Sequence, residues 1–168
     1  PDGRILRSHL VNIFIFLSFF YPQTQVGEWK TYTSLLSPTG IHYSDDHIIY
    51  ASTEGGVLKW DIENEVFSFI TDDVLNYLDI ASLEVDLHGN FWLGGRYPNG
   101  SLQIYHPQSG LLEHIQHLNI DQIDQFNIGE NTAYAVYKDG LENGILKFNI
   151  NNNELPEFQD HYFNFPLQ

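Results

Sequence analysis

Leu83-Glu-Val-Asp-Leu-His-Gly-Asn-Phe-Trp-Leu-Gly-Gly95 decides how this chain is read. Two short apolar runs flank a Gly-Asn pair, which is the composition of two strands joined by a tight hairpin. Gly89-Asn90 supplies the positive φ such a hairpin needs. Trp92 brings a large apolar surface for a neighbouring layer. Gly94 and Gly95 allow adjoining backbone to approach closely. Every one of these roles concerns folding.

Landmarks recur on both sides of Trp92. One aromatic row is Tyr50, Trp92 and Tyr134, with steps of 42 and 42. A second is Trp60, Tyr105 and Phe148, with steps of 45 and 43. An apolar row runs through Trp29, Phe67, Leu112 and Leu155. A period in the forties with several short strands per unit points to β-propeller blades. The apolar runs are short and bounded by Gly, Asn, Asp and Pro, and no segment beyond the leader keeps a helical period.

Each unit reads as four strands. The first unit has Gly40–Ser44, His47–Ser52, Val57–Asp61 and Val66–Thr71. The second has Ser82–Asp86, Asn90–Gly94, Ser101–Tyr105 and Leu111–Gln116. The third has Ile123–Ile128, Thr132–Tyr137, Gly144–Phe148 and Glu154–Phe158. The expected fold is all-β: a partial β-propeller of about three four-stranded antiparallel blades, near 40–71, 82–116 and 123–163, within a fragment spanning 26–168. Glu28–Thr33 aligns with a fourth strand and is expected to be the outer strand that closes the ring.

Residues 1–25 read as a signal peptide that precedes the blades as a helix. Arg4 and Arg7 stand before the apolar run Leu10–Tyr21, a basic segment followed by a short hydrophobic one. The run is short of the roughly 20 apolar residues a bilayer span takes. Export to the periplasm, cell surface or extracellular space is therefore expected, with no membrane span in the mature chain. Opening on Pro1 and holding no Met, the sequence is expected to be a piece of a longer product, whose remaining blades would be its immediate partners.

Composition narrows the partners. Hydrophobic residues make up 42% of the 168, enough for a packed core. Aromatics at 15% favour pleated sheets. The formal net charge of -15, with only 7 basic residues, argues against nucleic acid, whose phosphates need clustered Lys and Arg. With no cysteine, disulfides and thiolate chemistry are excluded.

The stretch Asp86, Gly89, Asn90, Phe91, Trp92, Leu93 and Gly94 resembles the two-component-regulator propeller repeat. Partial copies stand at Asp46–Ser52 and Glu130–Val136. The leader, Val26–Thr33 and Tyr50–Asp61 are similar to the N-terminal propeller of PorZ-like proteins of the bacterial type IX secretion system. That resemblance implies export and a cell-surface role in delivering lipopolysaccharide to secreted cargo. The same repeats form periplasmic sensor regions of hybrid histidine kinases.

Few residues suggest chemistry. Asp45-Asp46 and Asp72-Asp73 are paired acids of the type glycosidases use, yet both pairs fall where Asp favours turns. His106, His114 and His117 invite a metal, but residues three apart on a strand face opposite sides. No metal or cofactor is expected. The leading expectation is a non-catalytic binding or scaffold module of the cell envelope with a protein or glycan partner. Its loops would carry the binding: Arg96, Tyr97 and Asn99 in one, Tyr137 and Lys138 in another, where Tyr137–Asn143 reads as a lengthened loop. Tyr50, Asp86, Gly89, Asn90, Trp92, Gly94 and Tyr134 are assigned to the structural repeat. The alternatives are a kinase sensor region and a polysaccharide-active enzyme.

Overall fold

Period-two patterning, aromatic and branched residues and frequent turn signals produce twelve strands among the described residues. The computed structural model describes residues 37–44, 46–71, 73–96, 99–115, 119–150 and 155–163. All lie within one compact unit. The signal-peptide segment 1–25 and the closing strand 28–33 fall outside the described residues.

Sheet I comprises β1 (Pro38–Ser44), β2 (Ile48–Thr53), β3 (Gly56–Asp61) and β4 (Val66–Ile70). Sheet II comprises β5 (Ile80–Val85), β6 (Phe91–Gly95), β7 (Leu102–His106) and β8 (Gly110–Ile115). Sheet III comprises β9 (Gln122–Ile128), β10 (Thr132–Asp139), β11 (Glu142–Ile150) and β12 (Pro156–Phe163). Each is an antiparallel meander in chain order, and β5 lies between β1 and β9.

The third sheet departs from expectation at its central hairpin. Tyr137–Asn143 is not a lengthened loop. β10 runs on to Asp139, β11 starts at Glu142, and Lys138 pairs with Asn143 across a two-residue turn. The polar residues there look like a loop, but they continue the ladder because both strands overrun the sheet's apolar part.

Strand pairing sorts the side chains of each sheet onto two faces, one turned upstream and one downstream in the stack. Tyr50, Trp92 and Tyr134 occupy one register position on the downstream face, as their cross-strand partners show: His42 and Lys59, Glu84 and Ile104, Asn127 and Lys147. Trp60, Tyr105 and Phe148 occupy a matching position on the upstream face. Tyr50 meets Phe91 of sheet II with ring centroids 4.5 Å apart. Trp92 meets Phe126 and Phe148 of sheet III edge-on at 6.0 and 6.1 Å.

Burial follows position in the stack. Sheet II is covered on both sides, so every residue of Phe91–Gly95 is buried and the strand reads as an unbroken apolar run. β10 alternates instead, with Ala133, Ala135 and Tyr137 buried while Tyr134 and Val136 are exposed. Trp92 is 0% exposed, and Tyr134, at the same position one sheet on, is 42% exposed.

Hydrogen bonds repeat between sheets with the period of the sequence. Thr39 Oγ1 donates to Ile80 O (2.6 Å), and Ser82 Oγ donates to Ile123 O (2.8 Å). Gly94 is required at the second of these junctions, because a Cβ there would stand 2.3 Å from Ser82 Oγ and 2.8 Å from Ile123 Cβ. Gly56 N–H donates to Leu78 O and Gly100 N–H to Ile120 O, tying the second turn of one sheet to the connector that enters the next.

Asp86 organises the β5–β6 hairpin. Its Oδ1 accepts the N–H groups of His88 and Asn90, each at 2.9 Å. Its Oδ2 accepts Asn90 Nδ2 (3.0 Å) and Trp92 Nε1 (3.1 Å). Gly89 closes the turn at φ 81°.

Two stability measurements test this arrangement. Asp86→Ala is expected to cost on the order of 3 kcal/mol, since it strands several buried donors. Trp92→Ala should cost roughly 3–5 kcal/mol and Tyr134→Ala less than about 1 kcal/mol, measured by urea unfolding of the chain. Equal losses at Trp92 and Tyr134 would contradict the buried and exposed ends of the stack.

Candidate functional site

Two of the loop residues singled out from sequence, Arg96 and Lys138, lie on one rim, at the ends of the second strands of sheets II and III. Arg96 grips Asp79 through two nitrogens: Nε donates to Oδ1 (3.1 Å) and Oδ2 (3.2 Å), and a terminal nitrogen donates to Oδ1 at 2.7 Å. The same terminal nitrogen reaches Glu54 Oε1 of sheet I at 3.0 Å. Asp79, above all, holds the guanidinium's pKa above its ordinary value, against the opposing effect of burial. Arg96 thus clamps sheet II to sheet I.

Lys138 stands at the equivalent position of sheet III. Its ammonium lies 3.0 Å from Asp124. The backbone pairing recurs with its direction reversed: Arg96 N–H donates to Asp79 O, whereas Asp121 N–H donates to Lys138 O. Tyr137 is buried inside β10 and its hydroxyl bonds His161 Nε2, so it packs against sheet II and presents no loop surface. Asn99 is exposed in the turn before β7, and Tyr97 lies outside the described residues. Sequence reasoning placed Arg96 and Lys138 in two exposed loops, but nothing local to them announces their acidic partners.

A concave site opens at the opposite rim, between sheets I and II. It has a volume of about 250 Å³. Sheet I contributes His42, Ser44, Asp46 and Tyr50, and sheet II contributes Val85, Gly89, Phe91 and the turn His106–Gln108. The cleft has a local cause. Ser44 pairs with Ile48 at the start of the first hairpin, as Asp86 meets Asn90 at the start of the second. His47, at φ 58°, takes the place of Gly89. With Ser in place of Asp and Tyr50 in place of Trp, the first junction lacks the carboxylate–indole network that fills the second.

The polar groups around this cleft are differently engaged. Ser44 Oγ is buried and has no hydrogen-bond partner. His106 Nδ1 accepts the Gln108 N–H at 3.2 Å. Asp46 is exposed. Burial, with smaller contributions from Tyr105 and Asp46, pushes the Tyr50 hydroxyl above its ordinary value and keeps it protonated as a donor. The cleft therefore offers an apolar wall of Val85 and Phe91 and, among the described residues, a set of polar donors and acceptors beside the Asp46 carboxylate. The signal that could have revealed it is the missing acid six residues before Tyr50.

Among the described residues, no three His, Asp or Glu side chains come together as a metal-binding set. His114 packs its ring against Tyr77 at 5.1 Å, while its proposed companion His117 lies outside the described residues, as do Asp45 and Asp72. No described helix is long and apolar enough to cross a membrane. No known protein-family model matches the chain, and no characterised protein matches its sequence.

Two outcomes test these environments. Arg96→Ala is expected to lower stability by about 1 kcal/mol, a small value because the ion pairs reach solvent, with the loss diminished in high salt. His114 is held below its ordinary imidazole value by burial, partly opposed by Glu113. Its unfolded form therefore binds a proton first. The associated stability is complete above about pH 6.5 and is lost as the pH falls from there towards the folded value. The drop in urea midpoint from pH 7.5 to pH 5 should be smaller in His114→Phe.

Proposed function

We propose that this chain is part of an exported, non-catalytic β-propeller of the bacterial cell envelope, and that the cleft between sheets I and II seats one sugar unit of a glycan partner. The propeller reading draws support from three four-stranded meanders, their adjacent first strands and the inter-sheet hydrogen bonds that repeat at a separation of 41 residues. Export draws on the basic and apolar leader of residues 1–25.

The observation that carries the binding reading is the chemistry of the cleft. Sugars present apolar C–H faces and a fringe of hydroxyls. Phe91 and Val85 suit the first; Ser44, Asp46, His42, His106 and Gln108 suit the second. Among the described residues the cleft's lining carries one carboxylate, Asp46, where glycoside hydrolysis uses two, which favours holding over cleaving. The resemblance of the sequence to envelope propellers that handle lipopolysaccharide agrees with a glycan.

Titration of the full chain with a panel of neutral mono- and oligosaccharides by calorimetry tests the proposal. At least one should bind, and Asp46→Asn and His106→Ala should each weaken it by up to about 10-fold, the loss of one hydrogen bond. Turnover of the sugar, or affinity indifferent to both substitutions, would count against the cleft as a passive glycan site.

A further inference from the structure

The cleft between sheets I and II has a filled counterpart at the next hairpin, and the difference between the two defines what the cleft lacks. In the second hairpin the Asp86 carboxylate accepts the N–H groups of His88 and Asn90 and the side-chain donors of Asn90 and Trp92. In the first hairpin Ser44 stands for Asp86, Asp46 for His88, Ile48 for Asn90 and Tyr50 for Trp92. Ser44 Oγ is buried and bonds nothing. The N–H groups of Asp46 and Ile48 therefore receive no acceptor from this side chain, and the Ser44 hydroxyl has no acceptor for its own proton. A buried hydroxyl left unpaired costs free energy that an incoming acceptor recovers. The first hairpin is short of one acceptor oxygen, and Ser44 lines the cleft by which one can arrive.

We infer that a bound sugar supplies this oxygen as the carbonyl of an acetamido group, so that the cleft selects 2-acetamido sugars. The inference rests on the glycan reading of the cleft and names the sugar class it takes. An acetamido arm stands off the sugar ring, so its carbonyl reaches a hydroxyl that ring substituents, held at the ring's edge, do not.

The three parts of the group match three features of the lining. The carbonyl accepts from Ser44 Oγ. The methyl packs on the apolar wall, where Phe91 is buried and Val85 half-buried. The amide N–H donates to the exposed Asp46 carboxylate, a charge-assisted hydrogen bond. A sugar acid would also bring an acceptor, but it sets a second anion beside Asp46 in a chain of formal net charge -15. An amino sugar without the acetyl group suits Asp46 and leaves Ser44 unpaired.

Calorimetric titration of the full chain with N-acetylglucosamine, glucose, glucosamine and glucuronate tests this selection. N-acetylglucosamine is expected to bind about 10-fold more tightly than glucose, the combined effect of a buried hydrogen bond and a buried methyl group. Ser44→Ala should narrow that ratio by removing the donor. Ser44→Asp should narrow it as well, because the new carboxylate takes the place of the carbonyl, and should raise the urea midpoint by capping the hairpin as Asp86 does. Any of the other three sugars binding as tightly as N-acetylglucosamine overturns the inference. So does a preference that survives both substitutions in chains that still unfold cooperatively. The wild-type ratios decide the matter where a variant fails to fold. Equal binding of glucose and N-acetylglucosamine sinks the acetamido selection and leaves the glycan reading standing, whereas binding of none of the four counts against that reading too.

Discussion

A four-stranded sheet with apolar residues on both faces must be covered twice, and the rest of this structure follows from that requirement. Sheet II meets it in full. Its second strand, Phe91–Gly95, has no outward side, so it carries no polar residue. Trp92 reaches sheet III and Phe91 reaches sheet I from adjacent positions of one strand. A single strand therefore joins two cores that would otherwise be separate clusters. The buried indole N–H is the cost of placing Trp there, and Asp86 removes it by accepting that proton as well as those of the hairpin.

Repetition supplies the scaffold, and departures from repetition supply the features that distinguish one junction from another. The first-strand hydroxyl donors occur at both junctions with the same separation of 41 residues, and a turn-to-connector hydrogen bond accompanies each. The carboxylate–indole network occurs only at the second. Where Ser44 and Tyr50 replace Asp86 and Trp92, volume and hydrogen-bonding capacity are left over, and the cleft is that remainder. At the opposite rim the equivalent positions Glu54, Arg96 and Lys138 differ in charge, which makes the first junction an ion-pair clamp and leaves Lys138 with an acid of its own sheet. The cleft thus opens where one repeat lacks a structural residue.

Much of this was legible in the amino acids. The landmark rows and the turn residues between them located the twelve described strands in order, because side-chain alternation and turn residues are local properties of the chain. The equivalence of Tyr50, Trp92 and Tyr134 was likewise readable from spacing and holds in the pairing register. The hairpin at Tyr137–Asn143 was misread, since charged and amide residues on a strand that overruns its sheet have the composition of a loop. Tyr137, counted among the binding residues for that reason, is a core residue.

Sequence alone therefore determined the strands, their grouping in fours and the residues that punctuate them, because each depends on neighbours a few positions away. Tertiary structure decided the fate of residues whose partners lie a full repeat distant. It made Arg96 a clamp by bringing Glu54 to it, buried Trp92 and exposed Tyr134 from identical positions, and left a cleft beside Ser44. Those outcomes depend on which sheet stands next to which, and contact across 40 residues of chain is set by packing and not by local pattern.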